Sequence, residues 1–254
     1  PPLIEGFQDI IGMDHAAAVQ ATVKYRERYG VIGLFENKPY DGIALALSRL
    51  KSQGKVIALA TSKPESYAVR ILQHFNLMKY FDVAVGASMD ESRNNKTAVI
   101  KEALRRLGIS EDDKEQVLMI GDRRHDIRGA KDCGIASLGV YYGFAEIGEL
   151  EKAGADYIAP YVNRIGNLGN DPMELINELS NRIVQDGYDC KILAASFKGV
   201  QQVRDAFNYG SQAITAPVEV LKQIFANPSI EKAVNDFNSD WYDIYGEGKG
   251  ICDL

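Results

Sequence analysis

Three short stretches carry side chains that could handle a phosphoryl group. Thr61-Ser62-Lys63 follows the apolar run Val56-Ile57-Ala58-Leu59-Ala60, Lys96 precedes a helical pattern, and Gly121-Asp122-Arg123-Arg124-His125-Asp126 follows Val117-Leu118-Met119-Ile120. A hydroxyl at Thr61 or Ser62 and the ammonium of Lys96 could hold phosphate oxygens. Asp122 and Asp126 could ligate Mg²⁺, a hard cation that prefers oxygen ligands. The plainer alternatives stay open on these residues alone. Asp122 and Asp126 could be a turn residue and a helix N-terminal charge, Thr61 a helix-start residue, and Lys96 a solvated surface lysine. A second set lies later in the chain. Arg164 and Ser196 each follow a short apolar run, and a guanidinium with a hydroxyl and loop amides makes a sugar-phosphate clamp. The alternative is a surface arginine and a helix-cap serine.

Both sets need strands that end at the same edge. In open α/β sheets, ligands bind at the carboxyl ends of parallel strands. The periodicity predicts such units: a helix over 43–50 capped by Asp41 and closed by Gly54, a strand over 56–60, and a helix starting near Pro64. A strand at 83–85, a helix over 97–107 stopped by Gly108, and a strand at 117–120 follow. A helix then runs through Ala130 to Gly134, with strands at 137–140 and 157–159 beyond it. Further on, 173–184, 200–208, 217–226 and 228–241 read as helices, the last capped by Asn227, and 191–195 and 213–215 read as strands. Residues 1–36 read as short helices. Alternation of this kind implies an α/β fold with parallel sheet.

Composition excludes several classes. The 254 residues carry a net charge of −6, 46% hydrophobic and 25% charged residues, so a soluble globular chain without the basic footprint of a nucleic-acid binder is expected. The three cysteines, Cys133, Cys190 and Cys252, share no metal-ligand spacing and suit a reducing, cytoplasmic setting. No apolar run approaches the ~20 residues that span a bilayer, so no membrane association is expected. The opening Pro1-Pro2-Leu3-Ile4-Glu5 does not read as a signal peptide.

The stretch 36–42, then Ile57-Ala58-Leu59-Ala60-Thr61-Ser62-Lys63-Pro64, Asn94-Asn95-Lys96 and Ile120-Gly121-Asp122-Arg123-Arg124-His125-Asp126-Ile127 resembles the phosphoglycolate-phosphatase-like branch of the haloacid dehalogenase (HAD) superfamily. The resemblance covers residues 1–159. It implies that Thr61, Ser62 and Lys96 bind the substrate phosphate, with Thr61 and Lys96 in the catalytic machinery, and that Asp122 and Asp126 hold Mg²⁺. Residues 1–36 would be a helical cap remnant and 37–159 a Rossmann-like core lacking its first, central strand. The family's nucleophile belongs to an Asp-x-Asp-Gly-Thr motif that this sequence does not contain. The expectation is a Mg²⁺-dependent phosphatase of small phosphate esters whose activity is impaired or absent.

A second resemblance covers 154–241, carried by Gly154-Ala155-Asp156-Tyr157-Ile158-Ala159-Pro160-Tyr161-Val162-Asn163-Arg164-Ile165, Lys191-Ile192-Leu193-Ala194-Ala195-Ser196-Phe197-Lys198 and Ala213-Ile214-Thr215-Ala216-Pro217. It is similar to the last βα units of the transaldolase/fructose-6-phosphate aldolase family, a TIM barrel. It implies phosphate binding by Arg164 and Ser196, with Tyr161 near the reacting carbonyl. Gly166 stands where that family usually has Asp, and neither Lys191 nor Lys198 matches its Schiff-base lysine. Residues 154–254 would form this segment, overlapping the first at 154–159. The alternative functions are therefore a sugar-phosphate lyase or transferase, or a non-catalytic phosphate-binding or chimeric product. The partner expected is a small phosphorylated metabolite. The C-terminal helix, with Phe237, Trp241, Tyr242 and Tyr245, offers a surface for homo-oligomerisation, or equally packs on the chain's own core. One further expectation is that Lys191–Ala195 fills the gap left between the strands at 56–60 and 117–120.

Overall fold

The computed structural model describes residues 3–90, 92–167, 169–225 and 228–250. Pro1, Pro2, Ala226, the cap expected at Asn227, and Cys252 lie outside them. The chain divides into two compact units. Unit 1 holds residues 1–139 with 153–155, and unit 2 holds 140–152 with 156–254.

Unit 1 opens with α1 (Leu3–Asp9) and α2 (His15–Tyr29). Asp14 starts α2 by accepting a hydrogen bond from the Ala17 amide at 2.8 Å, which satisfies one of the donors left over at a helix start. The strand–helix repeat follows: α3 (Ile43–Ser52), β1 (Ala58–Pro64), α4 (Glu65–His74), β2 (Val83–Ala87), α5 (Lys96–Leu107), β3 (Leu118–Gly121), α6 (Arg124–Cys133) and β4 (Ala136–Val140). Asn95 caps α5 through the Ala98 amide at 2.8 Å. Gly108 ends it at φ 69°, as expected of a left-handed C-cap. Asp41 does not cap α3: the N-cap is Gly42 at φ 83°, with no side-chain bond. Asp41 instead pairs with Lys38 at 3.0 Å.

β1 runs parallel to β2, from Ala58 opposite Val83 to Ala60 opposite Val85, and resumes with Pro64 opposite Ala87. The intervening Thr61-Ser62-Lys63 bulges out of register. Val56 and Ile57 precede the strand, although the apolar run includes them. The Ile57 amide is held by Asp82 Oδ2 at 2.8 Å instead. β3 runs parallel to β4 in unbroken register, Leu118 opposite Ala136 to Gly121 opposite Gly139. β1 and β3 are not hydrogen-bonded to one another. Both lean on one apolar cluster, in which Ile100, Leu104, Ala130, Cys133 and Ile135 are buried and Ala60 and Met119 pack against them. On the other face of β3, Leu118 and Ile120 stay about half exposed.

Unit 2 contains α7 (Glu149–Ala153), β5 (Tyr157–Ala159), α8 (Val162–Asn167), α9 (Pro172–Asp186), β6 (Lys191–Ala195), α10 (Val200–Asn208), β7 (Ala213–Thr215), α11 (Val218–Phe225) and α12 (Pro228–Tyr245). Asp171 caps α9, accepting from the Met173 amide at 2.8 Å. β6 lies between β5 and β7 and is parallel to both. The expectation that Lys191–Ala195 would fill the gap beside β1 is therefore wrong. Its two edges are already taken, because Ile192 and Ala194 are buried between neighbours that follow the same short βα rhythm.

Glu151 on α7 is 1% exposed. Its Oε2 accepts from the Tyr141 hydroxyl at 2.5 Å, while its Oε1 has no hydrogen-bond partner. Burial raises the Glu151 carboxyl above the ordinary range, against the lowering effect of the Tyr141 hydroxyl and the Arg182 charge. The same burial and the Glu151 charge push the Cys190 thiol up to about 12. Folded unit 2 thus keeps a proton that the unfolded chain releases. Its stability is full below the ordinary Glu value of 4.5 and falls as pH rises through the raised one. We expect the unfolding midpoint of unit 2 to drop between pH 5 and pH 8, and Glu151→Gln to flatten that slope. Segment-resolved hydrogen exchange at the two pH values checks this, and equal slopes in both proteins would refute it. In unit 1, His125 runs the other way. Burial above all lowers it below 6.5, with the Arg124 and Arg123 charges adding to this, so its contribution is lost as pH falls.

Candidate functional site

In unit 1, Lys96 links two of the predicted stretches, through Ala60 beside Thr61 and through Asp126. It is the first residue of α5, so its long side chain reaches back past the helix start towards the strand ends. Nζ donates to the Ala60 carbonyl at 3.0 Å and pairs with Asp126 Oδ1 at 2.7 Å. The reading of Lys96 as a solvated surface lysine is set aside, since its side chain is 11% exposed and that of Asp126 is 9% exposed. The end of β1 and the start of α6 are thus tied to one nitrogen. An ammonium has three donors, and these two contacts use two of them.

Asp126 sits in the first turn of α6, where a carboxylate suits the helix dipole. Its Oδ2 accepts from the Arg123 amide at 3.1 Å. Two glycines make this packing feasible. A Cβ on Gly121 would meet Asp126 Cγ at 2.5 Å, and one on Gly129 would meet Lys96 Cγ at 2.8 Å. Asp122 follows Gly121 at the end of β3 and is partly buried. His125 Nε2 is buried without a hydrogen-bond partner.

The Thr61 bulge is shaped by a close backbone approach. A Cβ on Gly86 would lie 2.6 Å from the Glu65 nitrogen, so only glycine lets β2 run this near the β1–α4 corner. Thr61 Oγ1 accepts from the Lys63 amide at 3.2 Å, which leaves its own proton to donate outward, and Ser62 is exposed. Glu65 closes the corner. Its carboxylate takes Arg93 at 2.7 Å and Arg106 at 2.9 Å. Against the upward pull of its partial burial, the Arg106 hydrogen bonds and the Gly86 amide hold it below the usual carboxylate value.

The sequence reading assigned no role to Lys63, which the bulge turns towards α2. Lys63 Nζ donates to the Tyr29 hydroxyl and lies 4.7 Å from the centre of that ring. The signal was visible only as a tyrosine pair, Tyr25 and Tyr29, one helical turn apart.

The fit to a resident divalent cation is poor. Among the described residues, no group of three or more His, Cys, Asp or Glu side chains could hold a metal ion. Asp126, one of the two expected ligands, has both oxygens engaged by Lys96 and the Arg123 amide. Asp122 is the other expected ligand.

In unit 2, Tyr161 and Ser196 stand at the carboxyl ends of β5 and β6. An isolated bridge joins Tyr161 to Ala195, and the Ser196 carbonyl accepts from the Asn163 amide at 3.1 Å. Ser196 adopts φ 68°, a conformation that costs a non-glycine residue ~1–3 kcal/mol and that clusters at functional sites. The Arg164 guanidinium lies 5.9 Å from the centre of the Tyr161 ring, whose other neighbour is Tyr142 at 4.7 Å. Tyr161, Arg164 and Ser196 therefore share one strand-end region of unit 2. A Cβ on Gly166 would meet nothing within 4 Å, so no packing demands glycine there.

Comparison with known proteins follows the same division. Residues 5–134 match the family model of haloacid dehalogenase-like hydrolases, and residues 137–247 match that of the transaldolase/fructose-6-phosphate aldolases. A 5'-nucleotidase from Pseudomonas aeruginosa is 41% identical over 150 residues, which is 59% of this chain and 66% of the nucleotidase. A probable fructose-6-phosphate aldolase from Streptococcus pneumoniae is 50% identical over 91 residues, 36% of this chain and 41% of that protein. The chain thus spans less than two-thirds of either relative. The crystal structure of a predicted phosphatase from Clostridium acetobutylicum aligns with a TM-score of 0.59 and 42% identity, covering 66% of this chain and 76% of that one.

Proposed function

Because the chain belongs to the haloacid dehalogenase-like hydrolase family, we propose that unit 1 is a phosphatase-like module that binds small phosphate monoesters at the strand ends around Thr61, Ser62 and Lys96. The observation that carries this reading is the convergence on Lys96. One ammonium is fixed between Asp126 and the Ala60 carbonyl of β1, one residue before Thr61 in the chain. The ester phosphate would be held by the Lys96 ammonium, by the Thr61 and Ser62 hydroxyls and by loop amides, an anion cradle at a sheet edge.

Magnesium is the metal that haloacid dehalogenase-like hydrolases generally use, and here Asp122 is the ligand this chain would contribute. Hydrolysis also needs a nucleophile. These 254 residues carry no Asp-x-Asp-Gly-Thr motif, so turnover by them alone is expected to be impaired or absent. Hydrolysis of p-nitrophenyl phosphate and phosphoglycolate, with and without Mg²⁺, tests this against the Asp122→Asn variant. We expect no Mg²⁺-dependent turnover above that of the variant. Turnover that requires both Mg²⁺ and Asp122 would show that another carboxylate serves as nucleophile.

Unit 2 supports a second reading, sugar-phosphate binding in the manner of its aldolase-family segment. The strained Ser196 beside Tyr161 and Arg164 favours it. A Schiff-base lysine is not supplied by Lys191 or Lys198, so a lyase or transferase step is not expected from these residues. Self-association through α12 belongs to the same proposal: Phe237 is 74% exposed and Ile244 72%. A cytoplasmic setting fits Cys133 and Cys190, which are both buried free thiols. Among the described residues no helix is long and apolar enough to cross a membrane.

A further inference from the structure

Unit 2 holds a buried acid that the sugar-phosphate reading leaves without a role. Glu151 on α7 is 1% exposed, and its Oε1 has no hydrogen-bond partner. Burying a carboxyl with one oxygen unsatisfied costs stability, and an apolar side chain would fill the same space without that cost. What the acid provides is an acceptor. Its Oε2 accepts a hydrogen bond from the Tyr141 hydroxyl at 2.5 Å. That hydroxyl in turn accepts from the Gly148 amide at 3.1 Å. Tyr141 is fixed at its main chain as well, where its amide donates to the Ala159 carbonyl at the end of β5, 3.4 Å away. Residues 142–147 are therefore a loop whose two ends meet at one side chain. Gly148 makes the return possible, since it sits at φ 88°, a left-handed conformation that favours glycine.

The loop begins with Tyr142. Its ring lies on that of Tyr161, with centres 4.7 Å apart and planes at 49°. Tyr161 is the aromatic member of the strand-end site. The Arg164 guanidinium is 5.9 Å from its ring centre, and its backbone bridges to Ala195, the residue before Ser196. Surface loops ordinarily move more than the elements they join. This one is tied to a buried group, and the residue it delivers to the site is the first after the tie. Contacts thus run without a break from Glu151 through Tyr141 and Tyr142 to Tyr161, all within unit 2.

We propose that Tyr141 and Glu151 are positioning residues that clamp the 142–148 loop, and that Tyr142 is a further residue of the unit 2 site, fixing the Tyr161 ring for a sugar phosphate. This rests on the sugar-phosphate reading of Tyr161, Arg164 and Ser196. It adds three residues to that site, two of them acting from a distance.

The test is NMR of the full 254-residue chain carrying ring-¹³C tyrosine. The unmodified protein is compared with Tyr141→Phe, Tyr142→Leu and Glu151→Gln, each titrated with ribose 5-phosphate and fructose 6-phosphate. Tyr142→Leu should shift the Tyr161 ring resonance, because it removes the neighbouring ring. Tyr141→Phe keeps every ring but takes the hydroxyl from both the Gly148 amide and Glu151 Oε2. It should shift Tyr161 in the same direction and speed exchange of the Gly148 amide about tenfold. A loop that is in place about a tenth as often lowers the apparent sugar-phosphate affinity by about the same factor. Glu151→Gln keeps an acceptor oxygen for Tyr141 and should leave the Tyr161 resonance and the affinity unchanged. An unmoved Tyr161 resonance in Tyr141→Phe refutes the clamp. Equal sugar-phosphate affinity in Tyr141→Phe and the unmodified chain refutes the positioning role and leaves sugar-phosphate binding standing. If neither sugar phosphate binds the unmodified chain, the sugar-phosphate reading fails and the positioning role fails with it.

Discussion

Asp126→Asn is expected to destabilise unit 1 by about 3–5 kcal/mol, the cost of leaving one member of a buried ion pair without its partner. Lys96 would keep its charge in a site where its side chain is 11% exposed. Among the described residues its remaining polar partner would be the Ala60 carbonyl, which cannot neutralise it. The loss should not be additive. Replacing Lys96 by Met as well removes the stranded charge while keeping an apolar stem against Ile100 and Gly129. The double variant should therefore recover most of the stability, because desolvating two charges offsets much of what their attraction contributes. Urea unfolding of the four proteins of this cycle reads the coupling directly. Additive losses would mean that the two side chains do not act as a pair in solution.

Gly121→Ala should be at least as damaging. The new Cβ would fall on Asp126, 2.5 Å from Cγ and 2.6 Å from Oδ2. Asp126 is short, sits on the first turn of α6 and is held at both oxygens. It cannot move aside without giving up Lys96 or the Arg123 amide. Overpacking usually costs ~1–3 kcal/mol, and loss of the pair would add to that. Together these approach the 5–15 kcal/mol that typically separates a folded domain from its unfolded chain. The control is Gly166→Ala in unit 2, where the added methyl meets nothing and should be neutral or stabilising by ~0.5–1 kcal/mol, since glycine weakens a helix. Circular dichroism melts compare the two. Equal melting temperatures for Gly121→Ala and the unmodified chain would contradict the packing described for Asp126.

What the sequence revealed depended on whether the controlling interaction was local. Helix α10 and strands β6 and β7 have the bounds that periodicity predicts, because a single apolar stripe or run defines each. Gly108 as the stop of α5 was legible for the same reason: a left-handed C-cap favours glycine whatever lies nearby. Asp41 was misread as a cap because two neighbouring residues could both start α3, and Gly42 takes the role in a conformation open to it. The bulge at Thr61-Ser62-Lys63 was hidden, since the close approach of Gly86 that shapes it comes from another strand. The Lys96–Asp126 pair joins residues 30 positions apart, so neither the burial of that lysine nor the engagement of both Asp126 oxygens could be seen. Glu151 looked like any charge on a short acidic helix, and only tertiary burial separates it from Glu149. The assignment of Thr61, Ser62, Lys96, Asp122 and Asp126 to one region came from the motif order. The structure supplies the Lys96 contacts that draw the strand ends together.

The central claim is that the Thr61 bulge and Lys96 form a phosphate-ester site. Its most direct test is a ³¹P NMR titration of inorganic phosphate and phosphoglycolate with the unmodified chain and with the Thr61→Val/Ser62→Ala double variant, which spares the Lys96–Asp126 pair. The account predicts saturable binding to the unmodified chain and at least about tenfold weaker binding to the variant, the loss expected when hydrogen bonds to a charged group are removed. Saturable binding of the same strength in both proteins would place the phosphate elsewhere and contradict it.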